Sequence, residues 1–175
     1  MGVTGTNGKT TTTWLLAQIA TSAGLPAAVF GTLGSGAVQA PRPFGFTTPE
    51  AEVLSEELAE LVREGFRAVA MEVSSHALAT ARVDGLRFSV GAFTNLSRDH
   101  LDFHQTMEAY FEAKSRLFQL LPPQAPAVLP GDDDAAGFHA RLRALRPDAL
   151  TWGTSSQARL RAVDVQQCPS DAAGT

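Results

Sequence analysis

Short apolar runs alternate along the chain with amphipathic stretches. The runs predict strands over 27–31, 67–73, 89–94, 125–129 and 149–152. Apolar positions recurring every three to four residues predict helices over 9–23, 49–64, 107–121 and 134–145. The second helix carries the clearest punctuation: Thr48 as N-cap, Pro49 at the first helical position, apolar Val53, Leu54, Leu58, Leu61 and Val62, then Gly65 as the stop. Strands alternating with helices imply an α/β protein, a mostly parallel sheet flanked by helices in three layers. The Gly- and Pro-bearing stretch 33–46 exceeds an ordinary connection and is expected to be a surface or substrate loop.

With 175 residues, one domain burying about 70% of its unfolded surface is expected. Acidic residues outnumber basic ones 18 to 14, so no broad basic face exists to neutralise a phosphate backbone, and a nucleic-acid reader is not expected. The single cysteine, Cys168, excludes an intramolecular disulfide. No apolar run approaches the roughly 20 residues a bilayer span needs, and no leader pattern opens the chain. A soluble, cytoplasmic protein with no membrane partner is therefore expected. Both ends look cut, because only Met1 to Thr4 precede the glycine-rich segment and 166–175 read as an irregular tail.

That segment runs Gly2-Val3-Thr4-Gly5-Thr6-Asn7-Gly8-Lys9-Thr10-Thr11 and passes directly into the apolar helical positions Trp14, Leu15, Leu16 and Ile19. Glycines let backbone N–H groups turn toward one anion, and a helix N-terminus adds partial positive charge. Lys9 would reach the outer phosphates of a nucleotide, and Thr10 would offer its hydroxyl to Mg²⁺. The match is a variant of the phosphate loop, with Val3 where the general pattern has glycine.

Of 14 basic residues, only Lys9 and Lys114 are lysine. Lys114 falls in the stripe of Met107, Tyr110, Phe111, Leu117, Phe118 and Leu121. It either snorkels its ammonium to water or is buried with a depressed pKa. A neutral amine can add CO₂ to give a carbamate, an oxygen ligand for Mg²⁺. Glu72, Ser74, Ser75 and His76 follow one strand at its carboxyl end, where open α/β sheets bind ligands, and Asn95 to His104 follow another. Glu72 or Asp99 could hold Mg²⁺, and His100 or His104 a metal or phosphate. Zinc on His100, His104 and Asp102 is a further alternative.

The segments Gly5–Thr11, Thr47-Thr48-Pro49-Glu50, Met71–Leu78, Phe93–Asp102 and Glu112-Ala113-Lys114 together resemble the central domain of the Mur ligases, and most closely the MurE type. The resemblance covers about residues 2 to 150. It implies a P-loop NTPase-like fold, with residues 1–165 a partial central ATP-binding domain, the N-terminal uridine-binding and C-terminal ligase domains being absent. It implies that Gly5, Thr6, Asn7, Gly8, Lys9, Thr10 and Thr11 bind ATP. Thr10 and Glu72 would hold one Mg²⁺, and His100 and carbamylated Lys114 a second. Lys9, Glu72, His100 and Lys114 would carry the catalysis.

Thr47, Thr48, Ser74, Thr80 and Arg82 would contact UDP-MurNAc-L-Ala-D-Glu, although position 80 departs from the glutamine often found in the family. The implied reaction adds a diamino acid, such as meso-diaminopimelate or lysine, through an acyl phosphate. The expected partners are thus small molecules, namely ATP, the UDP-MurNAc-dipeptide and an amino acid, acting on a monomer. Two alternatives accompany this reading: another ligase of the superfamily, such as a folylpolyglutamate synthase, and a nucleotide-binding fragment that does not ligate.

Overall fold

The computed structural model describes residues 1–166; the expected tail lies outside them from residue 167 on, as does Cys168. In chain order the elements are β1 (Gly2–Thr4), α1 (Lys9–Ser22), β2 (Ala27–Gly31), β3 (Gly34–Gly36), α2 (Ala51–Arg63), β4 (Ala68–Glu72), α3 (Ser75–Ala79), β5 (Gly91–Phe93), α4 (Leu101–His104), α5 (Met107–Gln119), β6 (Ala127–Pro130), α6 (Phe138–Leu145), β7 (Leu150–Gly153) and β8 (Leu160–Arg161). The strands form one eight-stranded sheet in the order β3-β2-β4-β1-β5-β6-β7-β8. Every neighbouring pair is parallel except β2–β3.

Strand alternation divides the core between the two faces of the sheet. Ala28, Phe30 and Met71 point to one side and pack with Leu54 and Leu61 of α2, Leu78 of α3, Phe111, Leu117 and Phe118 of α5, and Leu142 of α6. Ala27, Val29 and Ala70 point to the other and pack against Ala17 of α1, with Trp14, Leu16 and Ala20 around it. α1 therefore lies over the β2–β4–β1 part of the sheet, and the predicted helix-flanked, mostly parallel architecture is present.

Boundaries differ where tertiary demands outweigh local signals. Thr48 does not cap α2. That helix starts at Ala51 behind Glu50, because the Thr48 hydroxyl donates to the Glu72 carbonyl and accepts from the Ser74 amide. The stretch expected as pure loop contains β3, which runs back along β2 and holds Arg42 through paired backbone bonds at Ser35. α6 starts at Phe138 rather than at 134, since Asp134 is spent outside the helix accepting the His139 amide. Val53 and Val62 of α2 are largely exposed, so its buried stripe is narrower than its apolar pattern. The short α3, α4 and β8 had no periodic signal long enough to announce them.

No helix among the described residues is long and apolar enough to cross a membrane.

Leu129, fully buried in β6, and Val62, 69% exposed, test the core assignment. Leu129→Ala is expected to lose about 2–5 kcal/mol in urea denaturation, and Val62→Ala to stay within about 0.5 kcal/mol of the parent chain.

Candidate functional site

β1, β2 and β4 end at the same edge of the sheet, and the turns leaving them meet in one cleft. Its walls include Thr6–Thr10, Thr32, Phe46–Thr48, Glu72, Ser74–His76, Arg82, His100 and Lys114. The loop after β1 turns at Gly5 with φ 141 and enters α1 through Gly8 with φ 82, both in the region that favours glycine. A side chain at Gly5 would also run into the Thr94 hydroxyl and the Asn95 backbone. Gly8 precedes α1 without a side-chain cap, leaving the first N–H groups of the helix without a side-chain acceptor and open to an anion. The Asn7 amide is already committed, donating to Asn95 Oδ1 at 3.0 Å. Thr94 Oγ1 and Asn95 Nδ2 both donate to the Asn7 carbonyl, so the loop is stitched to the segment after β5.

Lys9 folds back over this loop and donates to the carbonyls of Gly5 (3.0 Å) and Thr6 (2.8 Å). Burial lowers its pKa, against the opposing pull of the Glu72 and Asp99 carboxylates. Glu72 is 2% exposed at the end of β4. Its Oε1 accepts from Thr10 Oγ1 and the Thr32 amide, each at 3.0 Å, and its Oε2 accepts from Thr32 Oγ1 at 3.3 Å. Gly31 leaves the space this carboxylate occupies. The Thr10 hydroxyl and the Glu72 carboxylate, adjacent to open helix N–H groups, form the oxygen donor set that suits Mg²⁺ beside phosphate.

Lys114 does not snorkel. At 1% exposure its Nζ donates to the Gly5 carbonyl at 2.7 Å and sits 4.4 Å from the centre of the Tyr110 ring. Burial, reinforced by the nearby Lys9 charge and partly opposed by Asp99, lowers its pKa to about 7. A substantial share of the amine is therefore free at neutral pH.

His100 is brought to the same cleft, with its side chain 46% exposed and 3.6 Å from Asp99. His104 is not; it is buried, and its Nε2 shares a hydrogen bond with Ser75 Oγ at 2.9 Å. Among the described residues no group of three or more His, Cys, Asp or Glu side chains is disposed to hold a metal ion, which removes the zinc alternative on His100, His104 and Asp102.

On the far wall Arg82 donates to the Thr48 carbonyl and pairs with Glu50 at 2.8 Å. Thr47 meets Thr32 hydroxyl to hydroxyl at 2.9 Å. Ser74 caps α3 by accepting from the Ala77 amide. Thr80 is not brought in: its hydroxyl donates to the His76 carbonyl and it does not line the cleft. Thr11 is exposed on the first turn of α1, also outside the lining. Two residues escaped the sequence reading. Thr32 directly follows the predicted strand 27–31, and the same strand-end rule that drew attention to Glu72 applies to it. Tyr110 belongs to the apolar stripe, and its i, i+4 spacing from Lys114 is the signal that places its ring beside the amine.

The Mur ligase middle domain family matches residues 3–174. Among curated proteins, the chain is 46% identical over 186 aligned positions to the UDP-N-acetylmuramoyl-L-alanyl-D-glutamate–2,6-diaminopimelate ligase of Geobacter sulfurreducens, covering all of this chain and 35% of that one. It is 50% identical over 159 positions to the protein of the same name in Ralstonia nicotianae, covering 90% and 30%. A solved structure of a ligase of that name superposes with a TM-score of 0.76 at 38% identity over 90% of this chain and 32% of its own. Escherichia coli FolC, at 19% identity and a TM-score of 0.62, shares the fold. The chain spans about a third of the length of these curated relatives.

Because the Lys114 pKa falls from 10.5 to about 7 on folding, the unfolded chain binds a proton across that interval that the folded chain has released. Stability therefore rises with pH through the window, and the full cost of the buried ammonium is felt below it. Lys114→Met removes this slope. In CO₂-free buffer, its stability advantage over the parent chain is expected to be largest below pH 7 and to shrink toward pH 10, as read by urea denaturation at stepped pH. An advantage independent of pH would contradict the assignment.

Proposed function

The chain belongs to the Mur ligase family, of which it is a middle domain, and from that premise we propose that it is the nucleotide- and metal-binding part of an ATP-dependent ligase of peptidoglycan precursor synthesis. The acceptor is UDP-N-acetylmuramoyl-L-alanyl-D-glutamate and the added residue a diamino acid, 2,6-diaminopimelate being the one in the relatives' names. The observation that carries this reading is the meeting of Lys9 and Lys114 on the Gly5 carbonyl, with Glu72 held on Thr10 beside them.

In this reading Thr6 to Thr10 receive the phosphates of ATP, with the open N–H groups at the start of α1 facing the anion. Thr10 and Glu72 hold one Mg²⁺. The free amine of Lys114 adds CO₂ and releases a proton, and the resulting carbamate joins His100 in holding a second. Bound magnesium supplies neutralisation of phosphate charge. Lys9 leaves the Gly5 and Thr6 carbonyls to stabilise charge as the γ-phosphoryl passes to the side-chain carboxylate of the D-glutamate, giving an acyl phosphate and ADP. The incoming amine then displaces phosphate to form the amide. Thr47, Thr48, Ser74 and Arg82 face the acceptor across the cleft. In this reading the ligase works in the cytoplasm, where its nucleotide substrates are available.

A second reading, a module that binds nucleotide without ligating, is favoured by the cleft's gathering of phosphate- and metal-directed groups at Gly8, Lys9, Thr10 and Glu72. Calorimetry with Mg·ATP and bicarbonate, followed by phosphate release with the UDP-MurNAc-dipeptide and diaminopimelate, separates the two. Lys9→Ala is expected to weaken Mg·ATP binding about 10- to 100-fold through loss of a charge-assisted contact. Binding with amine-dependent phosphate release supports the ligase, and binding without it supports the module. Binding that is unaffected by Lys9→Ala overturns the site.

A further inference from the structure

The cleft wall contains one imidazole to which the proposed chemistry gives no task. His76, half-buried in α3, lines the cleft together with His100. His100 is poorly held by its own surroundings: its side chain is 46% exposed, its backbone sits at φ 52, and its ring lies 3.6 Å from an equally exposed Asp99. A β-carbon-bearing residue in the left-handed region, at the start of the short α4, has little local reason to keep one rotamer. Yet a residue that holds a metal must be oriented closely to be of use.

Aromatic packing supplies what is missing. The His76 ring stands almost perpendicular to that of His100, at 86° with centres 5.1 Å apart, and the Tyr110 ring lies 6.0 Å away at 73°. These are the edge-to-face arrangements that aromatic rings prefer. His76 is itself packed: its ring lies against that of Phe103, tilted at 38° with centres 4.2 Å apart, and meets His104 at 5.5 Å. His104 in turn is tied to the buried Ser75 by the 2.9 Å hydrogen bond. A continuous path of ring contacts thus runs from α3, which follows β4, to the segment after β5, which carries His100.

We propose that His76 is a positioning residue that fixes the orientation of the His100 ring toward the cleft. The inference rests on the reading of His100 as a metal-holding residue, and its test separates the two. The His100 ring ¹H–¹³C signals of the metal-free chain report the packing directly, and Mn²⁺ titration in the presence of ATP, followed by electron paramagnetic resonance, reports the consequence.

In His76→Ala the His100 signals are expected to move to the positions of a solvent-exposed imidazole, and Mn²⁺ affinity to fall about tenfold. His76→Phe keeps a ring without its nitrogens and is expected to bring both back to within about twofold of the parent chain. Unmoved His100 signals in His76→Ala overturn the proposal. So does an affinity lost equally in the Phe variant, which would mean that the His76 nitrogens act on a ligand. If His100→Ala itself leaves Mn²⁺ affinity unchanged, the metal assignment of His100 falls, while the ring signals still decide whether His76 holds it.

Discussion

The Gly5 carbonyl is the acceptor on which the site depends. Lys9, at the start of α1, and Lys114, from the middle of α5, reach it from different layers of the fold at 3.0 and 2.7 Å. Only a residue without a side chain turns the chain there so that Thr94 and Asn95 can close against it. Two ammonium groups that share one oxygen in a poorly solvated place repel each other, and the more deeply buried one gives way. The depressed pKa of Lys114 follows first from its burial and second from the charge of Lys9, which the shared Gly5 carbonyl holds close by.

What the sequence made legible was whatever rests on local periodicity or on a strand's end. The phosphate loop could be read because glycines, a lysine and an apolar helix follow one another within a few residues. Lys114 could be suspected because it interrupts an apolar stripe. The capping of α2 could not be read correctly, since Thr48 is claimed by Glu72 and Ser74, 24 and 26 residues on, and local capping energy is too small to compete with closing the sheet edge. The partnership of His104 with Ser75, across 29 residues, belongs to the same class. β3 escaped because a three-residue strand of Gly-Ser-Gly carries no hydrophobic alternation, and only its pairing with β2 defines it.

Most hydroxyls in and around the cleft already have protein partners. Thr48 bridges two backbone groups, Ser74 caps α3, Thr10 and Thr32 hold Glu72, and Thr94 holds Asn7. Their first role is to shape the cleft, and a ligand gains from them only by exchanging a bond already made. Such exchanges contribute little net energy, because each new hydrogen bond replaces an existing one.

The nitrogen donors around the cleft are of a different kind: the N–H groups opening α1 lack a side-chain acceptor, Lys114 donates to the Gly5 carbonyl with a lowered pKa, and Arg82 is already paired. The Arg82 guanidinium is oriented by the Thr48 carbonyl and Glu50, yet its Nε is buried without a partner among the described residues. A buried donor left unsatisfied is a cost the fold carries. All of these groups are backbone or side-chain nitrogens, as donors to anions require, and they stand on opposite walls of one cleft. The carboxylate fixed nearby, Glu72, is positioned by three donors of the protein, so it can meet a cation without first being ordered by it. The arrangement therefore discriminates by charge before it discriminates by shape: an anion meets the open N–H groups at the α1 terminus, and a hard cation meets the ordered Thr10–Glu72 oxygens beside them.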